Sequence, residues 1–232
     1  PHNEGCLQHI DVKAPKGTIV NAEWPAPTAA ATIVPADSIT DAVWKCLAQA
    51  IPEKAVAGCG HVTPNCVTTG VDRRVEGAEK PFGVILFNGS SGGGASATSD
   101  GWPFLVTPGT VGGLRFAPTE IIELHFPLIV REYQVRTDSM GAGRNCGGPG
   151  LNFFLTPKGT GQIDNYGYGD GMSNPPFGLF GGKPGDGGAL YRVGTDGKKY
   201  VVSASSYFRT HEGETWCAVS TGGGGYGNPL DR

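Results

Sequence analysis

One stretch of the chain has the spacing of an amphipathic helix. Ser38 and Asp41 have the spacing of an N-terminal capping box, with Asp in place of the usual Glu or Gln, and Pro52 stands just beyond the far end. We therefore predict a helix from Ser38 to Ala50. Its apolar positions fall on one side and are expected to pack on a sheet: Ile39, Val43, Leu47 and Ala50.

Short apolar or alternating runs fill most of the remaining chain and predict strands, because turns containing Gly or Pro separate them. These runs are residues 7–12, 82–87, 121–136 with a break at Pro127, 151–155, 189–193, 200–204 and 216–220. Strands outnumber helices. The predicted fold is mainly β with one or two packed helices (α+β), Gly/Pro-rich loops and a sandwich- or barrel-like sheet. No internal repeat divides the chain.

Composition supports a folded, loop-rich protein and narrows its function. The 232 residues include 39 glycines and 18 prolines, and the glycines lie in short clusters between apolar runs. The net charge is −3 without a basic stripe, which argues against nucleic-acid binding. No apolar run is long enough to span a bilayer, and Pro1–Gly5 does not resemble the start of a signal peptide, so we expect no membrane association and a cytoplasmic location.

Three glycine-rich stretches carry a family resemblance. They read DSMGAGRNCGGPG at 138–150, FGLFGGKPG at 177–185 and TGGGGYGNPL at 221–230. In this order and at these separations they resemble the C-terminal portion of hydantoinase B, a family that includes one subunit of the acetone and acetophenone carboxylases. Residues 3–7, 14–20 and 100–103 fit the same pattern, whereas Cys146 replaces an Arg that is usual there. Residues 1–232 are thus expected to be a single C-terminal region of a larger split or processed subunit.

The resemblance implies a partnership. Members of this family work with a hydantoinase A-type subunit that binds ATP and phosphorylates an intermediate, and their metal-binding His and Asp residues lie in the N-terminal half. We therefore expect ATP and a divalent metal to bind elsewhere in a hetero-oligomeric complex. The N-terminal hydantoinase B half is expected as a separate chain, and the isolated 232 residues are expected to be inactive.

Four residues are candidates for chemistry. Arg144, beside small residues, has a guanidinium suited to a carboxylate or phosphate, although a structural salt bridge would use it equally well. Glu123 and His125 would share one face of a strand and could exchange a proton; the alternative is a solvated strand face. Asp138 precedes a glycine turn, where it either acts on substrate or, with Ser139, caps the turn.

Glycine clusters and cysteines give weaker signals. Gly92–Gly94 and Gly222–Gly225 could expose N–H groups to phosphate, but no GxxxxGK[ST] motif is present, and turns at positive φ or close backbone packing explain them better. Contact with a partner chain is a third interpretation. Cys59, His61 and Cys66, and separately His2, Cys6 and His9, lack the spacing of a zinc site. We therefore assign no metal ligand and expect mostly free thiols.

Three functions remain open at this point. The first is a piece of an ATP-dependent enzyme that opens a cyclic amide, such as a hydantoin or lactam. The second is the equivalent piece of an ATP-dependent ketone carboxylase of the acetone or acetophenone type. The third is a purely structural scaffold subunit. Substitution of Arg144, Glu123 or His125 would distinguish the third from the others, because a positioned proton donor or electrostatic clamp contributes on the order of 100-fold or more to turnover.

Overall fold

The described residues form a mainly β fold with two α-helices. The computed structural model describes residues 5, 8–28, 34–60, 65–105 and 115–232. The helices are α1 (Val34–Ala50) and α2 (Thr119–His125), and short 3₁₀ turns cover Pro52–Lys54 and Pro229–Asp231. The strands are β1 (Asn65–Asp72), β2 (Lys80–Ile85), β3 (Leu128–Val135), β4 (Leu151–Pro157), β5 (Gln162–Tyr168), β6 (Ala189–Val193), β7 (Lys199–Val201), β8 (Ser205–His211) and β9 (Thr215–Val219).

These strands build two antiparallel sheets that pack face to face. One sheet has the order β2-β1-β5-β8 and the other β3-β4-β9-β6-β7. Alternate residues of each strand point inward, as Ile163 does from β5 and Phe153 from β4. The core between the sheets consists of Leu86, Ile122, Leu128, Phe153, Leu155, Ile163, Leu190, Trp216 and Ala218. The predicted sandwich and α+β class are thereby confirmed.

Two strands predicted from the sequence differ in the structure: one is shorter than predicted, and the other does not form in its described part. The run 200–204 forms β7 only as far as Val201, because the chain here leaves one sheet and enters the other at Ser205. The strand predicted at 7–12 is wrong in its described part: Gln8 and His9 form a turn, and the residues after them lie outside any strand. Leu7 itself is outside the described residues. The described part of this segment is exposed and pairs with no described strand edge that could supply ladder hydrogen bonds.

The first half of the predicted strand pair at 121–136 is a helix. Ile121 and Ile122 donate their N–H groups to the Pro118 carbonyl, and the helix α2 ends before Pro127. Only Ile122 is fully buried, whereas a strand would have buried Leu124 with it. A window of seven residues is too short for periodicity to separate the two structures. The prediction that Glu123 and His125 share a strand face is therefore wrong.

Helix α1 is confirmed in its type and in its end at Ala50, but the predicted start is wrong: the helix begins at Val34, so Ser38 and Asp41 lie inside it and do not cap it. Its packing also differs from the prediction. Ile39, Val43 and Leu47 remain about half exposed and do not contact a sheet core. Its buried side chains are Asp37 and Ala48. Ala48 belongs to a second, smaller apolar cluster with Ala55, Ala95 and Tyr226, which lies among the glycine-rich segments. The helix therefore packs on the glycine-rich part of the molecule.

The glycine-rich segments form a layered backbone core. Successive segments hydrogen-bond across one another: Gly148 donates to the Gly93 carbonyl at 2.8 Å and Gly223 to the Gly148 carbonyl at 2.9 Å. A Cβ on Gly92 would lie 1.9 Å from the carbonyl oxygen of Gly148. The glycines of the two sequence clusters do not have positive φ values. Close backbone packing, and not turn geometry, therefore explains them.

Candidate functional site

Arg144 lies at the edge of this glycine-rich core. Its Nη2 donates to the carbonyl of Ala97 at 3.0 Å, and its backbone N–H donates to Gly227 at 3.2 Å. The residue is exposed, so its guanidinium remains accessible to an anion. Its described contact is with a carbonyl and not with a carboxylate, which differs from the salt bridge considered as the alternative.

A group of polar side chains surrounds the loop that carries Arg144. Asp100 accepts from the Cys146 N–H at 2.7 Å and from Nη2 of Arg232 at 3.2 Å, and Nη1 of Arg232 contacts the Cys146 sulfur. Asn145 donates to the Ser96 carbonyl at 2.9 Å. We call Asp100, Cys146 and Arg232, together with Arg144 two residues before Cys146 on the same loop, the Asp100 cluster. Two arginines and one carboxylate give it a positive charge, which is suited to holding an anion.

Sequence reasoning missed three members of the Asp100 cluster, although two of them were in motifs. Asp100 begins the Asp-Gly-Trp-Pro stretch, and Cys146 lies in the same motif as Arg144, where it was noted only as the replacement of an Arg. The Gly101 N–H donates to the Cys146 carbonyl at 2.8 Å, which brings these two motifs together. Arg232 carries no sequence signal. The structure therefore joins motifs that are far apart in the chain.

Glu123 and His125 lie on α2, away from any such cluster. The Glu123 carboxylate accepts from the backbone N–H of Val130 at 2.9 Å, at the irregular start of β3. The carbonyls of Glu123 and Leu124 accept from Arg74, at 2.7 and 3.2 Å, so a cation caps the helix end. His125 is exposed, with its ring 6.4 Å from that of Phe126. These contacts give Glu123 a structural role.

Asp138 occupies a turn in the left-handed region. Its φ is 53°, a conformation that Asp and Asn adopt more readily than other non-glycine residues. The buried hydroxyl of Ser139 donates to the Arg136 carbonyl and accepts from the Gly150 N–H, both at 2.9 Å. Ser139 therefore fits the turn-capping interpretation, and the backbone of Asp138 has a conformation suited to a turn.

The four predicted residues are not brought together. Within the described ranges, no hydrogen bond or ion pair joins any two of Arg144, Glu123, His125 and Asp138. Arg144 sits with the glycine-rich segments, whereas Glu123 and His125 sit beside the core of the sandwich. As a result, they cannot act as one proton-transfer group in this arrangement.

The glycine clusters offer no phosphate cradle, because their N–H groups are already engaged. Gly92, Gly93, Gly222, Gly223, Gly224 and Gly225 donate to backbone carbonyls at 2.8–3.2 Å, and Gly94 donates to the Cys59 sulfur at 3.3 Å. A phosphate-binding loop needs such donors directed at the ligand. The described glycine segments therefore do not fit the phosphates of ATP.

Cys59 is a buried thiol held among the same segments. Burial, reinforced by the nearby charges of Asp41 and Asp37 and opposed by the Gly94 N–H, raises the pKa of Cys59 to about 11. A neutral thiol is a poor metal ligand and a poor nucleophile. Of the zinc cluster considered above, His61 and the Cys66 side chain lie outside the described residues, as do His2 and Cys6 of the second cluster.

The described residues contain no group of three or more His, Cys, Asp or Glu side chains arranged to hold a metal ion. Cys46, Cys59, Cys146 and Cys217 are free thiols, as expected. Within the same ranges, no helix combines the length and apolar character needed to cross a membrane.

Comparison with known proteins identifies the family. The model of the hydantoinase B/oxoprolinase family matches residues 1–229. The chain is 34% identical to the β subunit of the caprolactamase of Pseudomonas jessenii, over all of this chain and 40% of that protein. It is 28% identical to the hydantoinase B component of a candidate D-/L-hydantoinase of Pseudomonas sp. (strain NS671), again over all of this chain and 38% of that protein.

Solved structures agree with this result. The crystal structure of the ATP-dependent caprolactamase from Pseudomonas jessenii superposes with a TM-score of 0.84 at 30% identity, over 100% of this chain and 40% of that one. A nucleotide-free acetone carboxylase structure gives 0.63 at 19% identity over 82% of this chain and 29% of that one, which shows a shared fold. The chain thus spans about 40% of the length of these two Pseudomonas relatives. With nearly all its residues matched, the chain belongs to the hydantoinase B/oxoprolinase family.

Proposed function

We propose that the chain is part of a subunit of an ATP-dependent enzyme that opens a cyclic amide, either a lactam or a hydantoin. The observation that carries this proposal is the 34% identity to a caprolactamase β subunit along the whole chain. The fold of an ATP-dependent caprolactamase, matched with a TM-score of 0.84, supports it. In such a reaction ATP activates the amide oxygen, after which water opens the ring.

The nucleotide and metal are proposed to bind outside these 232 residues. The cluster glycines have no N–H group left for a phosphate, and the described residues provide no metal-binding group. We assign ATP to a hydantoinase A-type subunit and the divalent metal to the N-terminal half of the hydantoinase B subunit. The active enzyme would then be a hetero-oligomer, and the isolated chain would not turn over substrate.

The contribution of this chain to the reaction is proposed to come from the Asp100 cluster. Arg144 and Arg232 are exposed there, and Asp100 holds Arg232 in place at 3.2 Å. A guanidinium in such a position would hold a carboxylate product or a phosphorylated intermediate. Glu123 is not included, because its carboxylate is engaged with the backbone of Val130.

A ketone carboxylase is the second candidate. Its support is the shared fold with acetone carboxylase, at lower identity and over less of the chain. The structural-scaffold hypothesis is favoured by one observation, namely the layered glycine core, which is built by backbone contacts. Neither observation is as specific as the full-length similarity to caprolactamase.

The experiment that tests the proposal starts with native mass spectrometry of the complex purified from its source, followed by the mass of each denatured chain. The purified complex is then assayed for ATP hydrolysis with a lactam or a hydantoin, and separately with a ketone and bicarbonate. We expect ATP consumption coupled to ring opening. Bicarbonate-dependent loss of the ketone would transfer the proposal to the carboxylase, and a 24.0 kDa monomer without partners would refute it.

A further inference from the structure

Helix α1 exposes an apolar stripe and buries a mixed one, in which two aspartates accompany Trp44 and Ala48. Ile39, Val43 and Leu47 are 45, 48 and 48% exposed, and Cys46 between them is exposed too. On the other side, Asp37 and Ala48 are buried and Asp41 and Trp44 partly buried. At about 100° per residue the two stripes face opposite directions. A helix on a protein surface usually turns such an apolar stripe toward the core.

The helix cannot turn to hide the apolar stripe, because its other side is already packed. Ala48 lies in the cluster formed with Ala55, Ala95 and Tyr226. Lys45 places its Nζ 4.3 Å from the centre of the Phe177 ring. Rotation would remove these contacts and move the Asp37 and Asp41 carboxylates. The exposed stripe is therefore a fixed property of the fold.

The exposed stripe has the composition of a permanent interface. It contains no charged residue, and such depletion of charge is typical of the buried centre of obligate interfaces. At its C-terminal end, a cavity of about 210 Å³ is lined by Trp44, Leu47, Ile51, Lys54 and Ala55. This cavity is large enough to receive an apolar side chain.

The segment before α1 has the same character. Residues 8–28 are almost all exposed, including Ile19 and Trp24, which are 88 and 96% exposed. Their hydrogen bonds are local, as in the pair between Thr18 and Asn21. Single exposed apolar residues are ordinary, but a run of them next to an apolar helix face indicates a surface that is covered in the assembled protein.

We propose that the α1 apolar stripe, formed by Ile39, Val43, Cys46, Leu47 and Ile51, is the surface on which the rest of the hydantoinase B subunit docks. The Pseudomonas jessenii relative carries the matched region as only 40% of one chain, so about three fifths of that protein lies outside it. An uncharged surface suits a permanent neighbour of this kind better than a partner that dissociates. This inference rests on the proposed function for the existence of that neighbour, and not on the reaction.

The first test identifies the occupant. A photoreactive benzoylphenylalanine replaces Val43 in the full complex, and cross-linked peptides are sequenced after irradiation. We expect cross-links to hydantoinase B sequence outside these 232 residues, whether it is carried on the same polypeptide or on another one. Cross-links to a second copy of this region, to the ATP-binding subunit, or to no protein would each overturn the inference.

The second test measures the contribution of the stripe. Leu47→Glu places a charge in the stripe, and Gln49→Glu places one on an exposed position of the same helix outside it. We expect Leu47→Glu to weaken association with the remaining subunit at least about tenfold, or to lower the melting temperature of a single longer chain, while Gln49→Glu changes neither. Equal behaviour of the two variants would overturn the inference. A complex that assembles through the stripe but opens no ring would contradict the proposed function alone.

Discussion

A Cβ atom on Gly223 would lie 1.9 Å from the carbonyl oxygen of Gly93. This approach is possible only for glycine, since atoms at that distance overlap. The neighbouring N–H groups complete the contact, with Gly148 donating to Gly93 and Gly223 donating to Gly148. The glycine-rich motifs are therefore a packing device in which one backbone layer takes the place of side chains.

Replacing Gly223 by alanine is expected to cost about 3 kcal/mol or more, the upper end of the range for overpacking, because the obstructing atoms are backbone atoms that cannot rotate away. The matched control is Gly83→Ala on β2, where a Cβ would lie 3.6 Å from the Thr69 methyl and should change stability little. Urea unfolding of the complex measures both. Similar midpoints for the two variants would contradict the packing argument.

Glu123→Ala is expected to destabilise the fold by about 1–2 kcal/mol, because the Val130 N–H at the start of β3 loses its acceptor. Glu123→Gln retains an acceptor oxygen and should recover most of the stability. Turnover of the assembled enzyme per folded molecule should be unchanged in both. Loss of turnover in Glu123→Gln at normal stability would instead restore the acid–base role predicted from the sequence.

Asp138→Ala is expected to destabilise the turn by about 1 kcal/mol, because alanine tolerates a φ of 53° less well than aspartate does. Asp138→Gly should be neutral or slightly stabilising, since glycine adopts positive φ without a steric penalty. Thermal unfolding of the two variants checks this order. If Asp138→Gly abolished turnover without loss of stability, the carboxylate would have a chemical role.

Arg144→Ala is expected to lower ATP-dependent ring opening on the order of 100-fold, if the Asp100 cluster holds an anion formed in the reaction. The loss should appear in kcat/KM, and the melting temperature should fall only slightly, because the exposed side chain gives up one hydrogen bond, to the Ala97 carbonyl. Arg144→Lys keeps the charge without the planar donor pair and should recover only part of the rate. Full activity in Arg144→Ala would favour the scaffold hypothesis for this chain.

The buried thiol of Cys59 gives a pH dependence. Its pKa is raised from 9.0 to about 11 in the folded state, so between these two values the unfolded chain has lost the proton that the folded chain retains. The contribution of Cys59 to the free energy of unfolding is fully present below about pH 9 and is lost as the pH rises through about 11. Because other groups also titrate there, the difference between the parent protein and Cys59→Ala isolates the effect. Between about pH 8 and about pH 10.5, the free energy of unfolding should fall more in the parent protein than in Cys59→Ala.

The local hydrophobic pattern was sufficient to predict those strands whose apolar side chains are buried by the elements packed against them. The runs at 151–155, 189–193 and 216–220 became strands β4, β6 and β9, because their alternate side chains fill the core of the sandwich. Strands β1, β5 and β8 escaped prediction. The face of these strands that is turned toward the other sheet is polar in part, as in the buried hydrogen bond from Thr68 to Asn165 at 2.9 Å, so hydrophobic alternation is interrupted.

The candidate site was less accessible to sequence reasoning. Arg144 was found because it lies beside small residues, whereas the contacts of Asp100 with Cys146 and with Arg232 arise only through folding of the chain. Glu123 and His125 were grouped by strand spacing, and that grouping failed once the segment formed a helix. Spacing relates residues within one element; it contains no information about residues that are distant along the chain.

By itself, the sequence determined the family, the mainly β class, most of helix α1 and where the glycine clusters lie along the chain. Tertiary structure alone decided what those glycines do: their N–H groups bind other backbone segments, so none remains for a phosphate. It also decided that α1 buries Asp37 and Ala48 and leaves Val43 and Leu47 exposed. The physical reason is the same in both cases. A local pattern specifies which faces are available, but the choice among them depends on which distant segments fold against the element and on the surfaces that those segments offer.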